Sequence, residues 1–288
     1  MHFNVSWIFP RLLVGNFCRK PKALSITHTY YDCTAAVTES DYWQIPDPRW
    51  YPAALMVPLK SAGKHFTNLY FYPIYSASKL ALDVEIYRSD GSLAGQKKGA
   101  LIIESPSQEL KILNLKGLLE ELGIDKQEDL AAKIIATAVE GSRVPARIKL
   151  GLDLGNENLG LPCNICTNLQ PFNPKVEGKR SSFKWAPLLA DQPWPTLWIM
   201  NSTPEKLYSS EAKNDLTFYR KKDTATIVRQ ITLPPHGFMV INPAEDEELK
   251  AFFEGGIGWC TIVTNNPYLT TYYFSESSAG LIGGDHGF

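Results

Sequence analysis

Two cysteines stand at the spacing that metal and redox sites use. Cys163 and Cys166 are separated by two residues, and thiolates at this spacing can share a zinc ion or form a reactive disulfide. The sequence contains no second pair of this kind, so a four-cysteine zinc site within the chain is excluded. A three-cysteine site completed by Cys33 and a histidine remains an alternative. Residues three apart on a strand point to opposite faces, and the strand-like surroundings of the pair therefore favour a structural role.

Two short clusters of titratable residues suggest a metal-dependent enzyme as an alternative function. His28 and Asp32 share one face if this stretch is a strand, which would place an orienting carboxylate beside a general base. Asp285 and His286 lie between glycines near the last residue and could bind a divalent metal together with His28 or His236. Each cluster also fits a structural role, the first as a hydrogen-bonded rim and the second as a chain end.

Large aromatic side chains in proline-rich stretches are the more informative candidates. Trp43, Trp50, Tyr51, Trp185 and Trp194 lie in segments whose prolines predict loops. Rings in loops present a flat apolar face and a polar edge, which suits stacking on a sugar or on a partner protein. The same rings would also serve to fill a junction between two β units. We expect ligand binding at these residues and no catalytic residue, since phosphate-loop, nucleophile-elbow and zinc-protease motifs are absent from the sequence.

The composition limits the classes of partner and compartment. A net charge of −1 argues against nucleic acid, because a polyphosphate requires a basic face. The apolar runs are shorter than the roughly 20 residues of a membrane-spanning helix, so membrane insertion is not expected. The apolar N-terminus lacks a basic n-region and is interrupted by Pro10, unlike a signal peptide. Five cysteines leave one unpaired in any disulfide pattern, which indicates a reducing compartment and predicts a cytoplasmic protein.

Alternation of apolar and polar residues predicts strands along most of the chain. Leu216 and Phe218 alternate with polar neighbours, and the β-branched run at 226–233 ends at two prolines. The helical insert predicted at 115–121, with Gly123 at its C-cap, is too small to supply crossover connections between parallel strands. The sequence therefore predicts an all-β fold of antiparallel β-sandwich type.

The order of predicted strands occurs twice. Residues 82–88, 100–106, 110–115, 133–139 and 145–152 correspond in kind and order to residues 214–220, 226–233, 238–241, 259–264 and 269–274. We interpret this as a tandem duplication of one β unit with its own core, although two all-β stretches can also align by chance. The predicted domains are an N-terminal arm at 1–50, a sandwich at 51–172, and a linker with a second sandwich at 173–288. We expect the arm to cover an open sheet edge or to bridge the units.

The repeated unit resembles the soluble sensory-rhodopsin transducer family. The resemblance rests on residues 83–91, on the proline-ended strand that follows, and on the paired strands around Pro145 and Pro267. It covers most of each copy and none of residues 1–50. It implies a β-sandwich that oligomerises and binds a partner or small ligand, with no cofactor and no catalytic residues. This chain departs from the family in being duplicated and in carrying the arm.

Together these features predict a cytoplasmic, non-catalytic binding or interaction module. Its ligand, a small molecule of sugar-like type or a protein partner, is expected at the junction between the two units. The metal-dependent enzyme that uses His28, Asp32, Asp285 and His286 is the alternative.

Overall fold

Strands dominate the part of the chain that a computed structural model describes. The described residues are 13–19, 22–28, 43–44, 47–72, 79–104, 109–126, 128–140, 144–145, 148–179, 182–189 and 194–287. The strands before residue 180 are β1 (Leu13–Arg19), β2 (Lys22–His28), β3 (Trp43–Gln44), β4 (Ala53–Leu59), β5 (His65–Phe71), β6 (Leu80–Tyr87), β7 (Leu93–Ile103), β8 (Lys111–Asn114), β9 (Leu130–Ala138), β10 (Val144–Pro145), β11 (Ile148–Asn156) and β12 (Cys163–Leu169). Those after it are β13 (Ser182–Leu189), β14 (Trp194–Met200), β15 (Ala212–Arg220), β16 (Thr226–Leu233), β17 (Phe238–Ile241), β18 (Ile257–Thr264), β19 (Thr270–Glu276) and β20 (Ile282–His286).

Four antiparallel sheets of four strands each form the body of the described structure, which confirms the all-β prediction. Sheet I has the order β4-β9-β6-β7 and sheet II the order β12-β11-β5-β8. Sheet III has the order β13-β18-β15-β16 and sheet IV the order β20-β19-β14-β17. The eight strands β4–β9, β11 and β12 can be matched in chain order with the eight strands β13–β20. With this matching, sheet III has the same strand order as sheet I, and sheet IV has the same strand order as sheet II.

Short helices follow the same chain position in both sets of strands. Helix α1 (Leu115–Leu122) lies between β8 and β9, and helix α2 (Glu247–Phe253) lies between β17 and β18. The Asn114 side chain caps α1 by accepting from Gly117 N, and Gly123 ends it at φ 66°. The predicted helix and its C-cap are thus confirmed, because both signals are local to the segment.

The first core lies between sheets I and II. Along β6 the residues Leu80, Leu82, Val84 and Ile86 are fully buried, and the residues between them face the other side of sheet I. Strand β4 is buried at every position. Both faces of sheet I are therefore covered where β4 runs.

Sheet IV buries both of its faces, in two different cores. Leu197 and Ile199 of β14 belong to the second core with the inner residues of sheet III and α2, whereas Trp198 and Met200 belong to the first core. Phe238, Tyr272 and Phe274 join the first core in the same way. The expectation that each half buries its apolar residues in a core of its own is therefore wrong, because the first core extends across the junction to sheet IV.

The segments before β4 form two small pairs. Strands β1 and β2 form an antiparallel hairpin, and β2 lies beside β12, which is an edge strand of sheet II. Strand β3 pairs with β10. No helix in the described part of the chain has the length and apolar character needed to cross a membrane.

Three of the five candidate tryptophan and tyrosine positions lie in strands rather than in the predicted loops. Trp43 is in β3, Trp185 in β13 and Trp194 in β14. The neighbouring prolines are accommodated because β13 is the edge strand of sheet III, and because β14 at Pro195 pairs with β19 alone. Proline is excluded from strands only where its missing N–H would face a partner.

Candidate functional site

A cleft of about 400 Å³ lies where loops from the two halves of the chain meet, and we call it the junction cleft. It is lined by Arg49, Trp50, Val176, Glu177, Gly178, Lys179, Thr203, Glu205, Tyr208, Ser210, Glu211, Asn265, Asn266, Pro267 and Tyr268. Backbone hydrogen bonds join the two sides, from Tyr51 N to Pro204 O at 2.6 Å and from Lys206 N to Arg49 O at 3.2 Å. The walls are thus held together by main-chain contacts between segments more than a hundred residues apart in sequence.

Trp50 and Tyr268 form the aromatic wall of the junction cleft. The Trp50 ring stacks on Phe172 with centroids 4.4 Å apart, and it is tilted against Tyr268 at 5.7 Å. The Tyr268 hydroxyl accepts a hydrogen bond from Asn173 N at 3.0 Å. The indole Nε1 of Trp50 is buried and has no hydrogen-bond partner among the described residues. One face of the indole is therefore occupied by Phe172, and its N–H is enclosed without an acceptor among the described residues.

Buried amides hold the polar wall in place. Asn266 Nδ2 donates to Asn201 Oδ1 at 2.9 Å and to Ser202 O at 3.0 Å, and Asn266 Oδ1 accepts from Tyr268 N at 2.8 Å. Asn201 Nδ2 donates in turn to the carbonyl oxygens of Ser210, Leu233 and Pro234. This network fixes the loops that carry the lining residues, so the junction cleft is preformed.

Most of the charged residues that line the junction cleft are glutamates, whose carboxylates accept hydrogen bonds. Arg49 is paired with Asp47 at 3.0 Å and with Glu177 at 2.9 Å, and its hydrogen bonds lower the pKa of Asp47. Glu205 and Glu211 form no ion pair with any described residue. Two carboxylates are thus available to accept hydrogen bonds from a ligand.

A row of titratable side chains, partly buried at first and buried at its end, continues from the junction cleft toward sheet I. The Tyr208 hydroxyl donates to Asn201 Oδ1 at 2.9 Å, and burial raises the pKa of Tyr208 to about 12. Its ring meets His236 edge-on at 5.9 Å, and His236 stacks on Tyr87 at 4.6 Å. Burial, with a smaller effect of Lys133, lowers the pKa of His236 to about 4, so the imidazole is neutral at physiological pH.

Lys133 ends this row on the outer face of sheet I. Its side chain is 1% exposed, and its Nζ lies 5.2 Å from the centroid of the Tyr51 ring. Glu85 is its cross-strand neighbour, and the Glu85 carboxylate accepts a hydrogen bond from the Tyr87 hydroxyl at 2.8 Å. Burial lowers the pKa of Lys133 to about 8, because removing the ammonium from water costs more than the nearby carboxylates recover.

Of the three predicted aromatic residues whose side chains the structure describes, one lines the junction cleft. Trp50 lines it, whereas Tyr51 lies against Lys133 and Trp185 lies in β13 outside the lining. The side chains of Trp43 and Trp194 are outside the description. The sequence analysis did not single out Tyr208, Tyr268, Glu205 or Glu211. The only signal near them was the turn at 265–267, whose asparagines and proline indicate a loop without indicating what it approaches.

The predicted metal ligands gain no support from the structure. Asp32 and Cys33 lie outside the described residues, and for His28 only the backbone in β2 is described. His286 N donates to Asp285 Oδ1 at 2.8 Å, and the His286 Nδ1 lies 3.0 Å from Gly287 O. Among the described residues, no group of three His, Cys, Asp or Glu side chains is arranged to hold a metal ion.

The two closely spaced cysteines are buried thiols of β12. Cys163 Sγ donates to Gly284 O at 3.5 Å, and neither cysteine forms a disulfide. Burial raises the pKa of Cys163 to about 12 and that of Cys166 to about 11. Both remain protonated at neutral pH, and a protonated thiol is a poor nucleophile and a poor metal ligand. The structural role that we favoured for them is the one these surroundings support.

Compared with known proteins, the chain matches no family model, no curated protein and no solved structure.

Proposed function

We propose that this chain is a non-catalytic binding module that takes a small, polyhydroxylated, sugar-like ligand in the junction cleft. The observation that carries the proposal is the combination, in one preformed cleft, of an aromatic wall with two carboxylates that lack ion-pair partners among the described residues. The cleft volume of about 400 Å³ falls within the range of small-molecule sites, roughly 300 to 1,000 Å³.

The chemistry of the lining matches a ligand rich in hydroxyl groups. The carboxylates of Glu205 and Glu211 accept hydrogen bonds, and a sugar hydroxyl is a donor for each of them. The exposed part of the aromatic wall suits the apolar C–H face of a sugar ring.

The architecture behind this site is part of the same proposal. We infer a tandem duplication of one β-sandwich unit, with an arm at 1–50 and a boundary near residue 172. The matching strand orders of the two pairs of sheets and the matching helix positions support it. The proposal also includes a resemblance to the sensory-rhodopsin transducer family, a cytoplasmic location and self-association. A protein partner at the junction cleft is the second form that binding would take.

The test is to titrate the protein with a panel of monosaccharides and polyols and to measure binding by isothermal titration calorimetry. Trp50→Phe leaves a smaller ring against Phe172 and removes part of the aromatic wall, and Glu211→Gln removes one carboxylate. Glu211→Gln should weaken binding about tenfold or more, since a hydrogen bond to a charged group contributes roughly 1.5 to 3 kcal/mol. Trp50→Phe should weaken it by up to about tenfold, because an aromatic contact contributes roughly 0.5 to 1.5 kcal/mol beyond its buried area. Glu247→Gln, which removes an exposed carboxylate on α2 away from the cleft, is the matched control and should bind like the wild type.

If the three variants bind a ligand of the wild type with equal affinity, that ligand binds outside the junction cleft. If no sugar or polyol binds the wild type, the small-molecule form of the proposal is wrong. Melting temperatures of all variants, measured in parallel, separate a lost contact from a lost fold.

A further inference from the structure

One face of sheet III carries a group of apolar side chains that the folded chain leaves exposed. Phe183 of β13 is 60% exposed, and Val228 of β16 is 64% exposed. Ile257 and Val263 of β18 are exposed on the same side, because paired residues on neighbouring strands share a face, as do residues two apart on one strand. We define the outer face of sheet III by Phe183, Tyr219, Val228, Ile257, Trp259 and Val263.

The strand register gives this face an uneven relief. Trp259 pairs with Tyr219, and their rings stack with centroids 5.3 Å apart and planes 8° from parallel. The next row holds Thr261, which pairs with Thr217, and Val228 continues it on β16. A row of large rings thus lies beside a row of smaller side chains. Two pleated sheets that pack face to face interdigitate side chains of this kind.

The outer face of sheet III is nearly free of charge. Three rows cross the sheet from Phe183, Trp185 and Pro187 on β13 to β16. Asp215 is the only charged residue among the described residues of these rows, and its carboxylate accepts a hydrogen bond from Gln230 Nε2 at 2.8 Å. A neutral face gains little from a highly charged partner, whereas a neutral partner covers it without burying an unpaired charge.

The corresponding face of sheet I is covered within the chain. Strand β9 has the place in sheet I that β18 has in sheet III, and residues 130–136 of β9 are all buried. Tyr51, from the segment before β4, lies over Lys133 on that face. Strand β18 instead alternates between buried residues and residues that are exposed or half-buried. The same strand order is therefore covered on both faces in the N-terminal half and on one face in the C-terminal half, which leaves a large apolar patch open to a partner.

The outer face of sheet III is large enough for an interface between two copies of the chain. Strands β13, β16 and β18 are each 8 residues long. Strands about 4.8 Å apart, with a rise of about 3.3 Å per residue, give a four-stranded face of about 500 Å². Two such faces together would bury about 1,000 Å², which is the area that a specific interface needs.

We propose that a second copy of this chain packs on the outer face of sheet III, so that the two sheets face each other in a symmetric dimer. A two-fold axis uses the same patch on both subunits, and a neutral face then meets its own copy. This dimer supplies the surface for the self-association that belongs to the proposed function, and it rests on that function in this respect alone. The junction cleft shares no lining residue with the outer face.

The experiment measures the mass of the full chain without ligand, by sedimentation velocity from the low to the high micromolar range. The wild type should dimerise as its concentration rises. Phe183→Glu and Val228→Glu place a carboxylate at opposite edges of the outer face. Each should raise the dissociation constant of the dimer about a hundredfold or more, because the dimer would enclose two carboxylates without a cation. Leu24→Glu is the matched control, since Leu24 is also 60% exposed but lies in the β1–β2 hairpin, and it should leave the dimer unchanged.

Circular dichroism of each variant separates a lost dimer from a lost fold. Phe183 and Val228 are exposed in the single chain, so both glutamate variants should keep its strand signal. Val228→Thr keeps a branched side chain that suits a strand, and it should raise the dissociation constant by no more than about tenfold.

A wild type that stays monomeric at every concentration overturns the proposal. So does a dimer that either Phe183→Glu or Val228→Glu leaves intact, or one that Leu24→Glu dissociates. None of these outcomes affects the sugar titration of the junction cleft, so the dimer and the sugar site can fail separately.

Discussion

Lys133 is 1% exposed and forms no ion pair with any described residue, so the stability of the fold depends on the protonation state of its side chain. Its pKa of about 8 in the folded chain lies below the unfolded value of 10.5, because burial disfavours the charged form. Below pH 8 both states hold the proton, and the folded state bears the full cost of the buried charge. Each pKa unit corresponds to about 1.4 kcal/mol, which makes that cost about 3 kcal/mol.

The sign of the pH dependence follows from proton binding. Between pH 8 and pH 10.5 the unfolded chain keeps the Lys133 proton that the folded chain has lost, so the contribution of Lys133 to the free energy of unfolding rises with pH in this window. Groups with a raised pKa act in the opposite direction, because they ionise first in the unfolded chain. The thiols of Cys163 and Cys166 do so above pH 9, and tyrosines such as Tyr208 do so above pH 10. The contribution of Lys133 is therefore isolated by comparison with a variant.

We predict that Lys133→Met is more stable than the wild type at pH 7 by about 1 to 3 kcal/mol, and that the difference shrinks by pH 10. Methionine keeps the bulk against Met56 and Tyr51 and removes the ammonium. Urea unfolding of both proteins across this pH range measures it. If the difference in the free energy of unfolding between the two proteins does not change with pH, the lysine is not buried as a cation. Lys213→Met, which changes an exposed lysine of β15, is the control.

At the scale of elements, two tight turns meet at the junction. The turn between β6 and β7 approaches the turn between β16 and β17, and Phe238 N donates to Ser89 O at 3.0 Å across the contact. Gly91 has φ 79°, and a Cβ at this residue would overlap the carbonyl oxygen of Pro235. His236, in the opposing turn, adopts φ 60° although it is not glycine. The contact thus holds backbone in a conformation that few residues tolerate.

We predict that Gly91→Ala destabilises the chain by about 2 to 4 kcal/mol, the sum of a left-handed φ and a backbone collision. Gly63→Ala is the matched control, because Gly63 has φ 59° and its Cβ would meet no atom within 4 Å. The control should lose only about 1 kcal/mol, the cost of the φ angle alone. Equal losses in thermal melts of the two variants would contradict the turn contact.

At the scale of the molecule, sheet IV couples the two halves. Trp198 and Ile199 are neighbours in β14, yet the first belongs to the core shared with sheets I and II and the second to the core shared with sheet III. Separation of the halves would expose Trp198, Phe238 and Tyr272 to water, at a cost of roughly 25 cal/mol for each Å² of apolar surface. The halves are therefore expected to unfold together.

We predict one cooperative thermal transition, with the calorimetric and van't Hoff enthalpies equal for the whole chain. Trp198→Ala should reduce the free energy of unfolding by about 3 to 5 kcal/mol, and Ile199→Ala by about 2 to 5 kcal/mol. Each should lower the one melting temperature of the whole chain. Two resolved transitions in differential scanning calorimetry, with each variant shifting only one of them, would contradict the coupling.

Local patterns were enough to predict the strands, the helix α1 with its caps and the all-β class, because alternation and capping depend on residues close in the chain. The run 197–200 contains no polar residue, which is typical of a strand buried on both faces. The prediction of separate cores overlooked that signal.

The sequence by itself determined which residues face inward along the alternating strands, and it singled out Trp50, which lines the junction cleft. Only the tertiary structure decided what those faces pack against, and that Trp50 meets Tyr268 and Glu205 across more than 150 residues of chain. Periodicity specifies the orientation of a side chain relative to its own strand. Proximity between distant segments is set by the packing of whole sheets, and no local pattern encodes it.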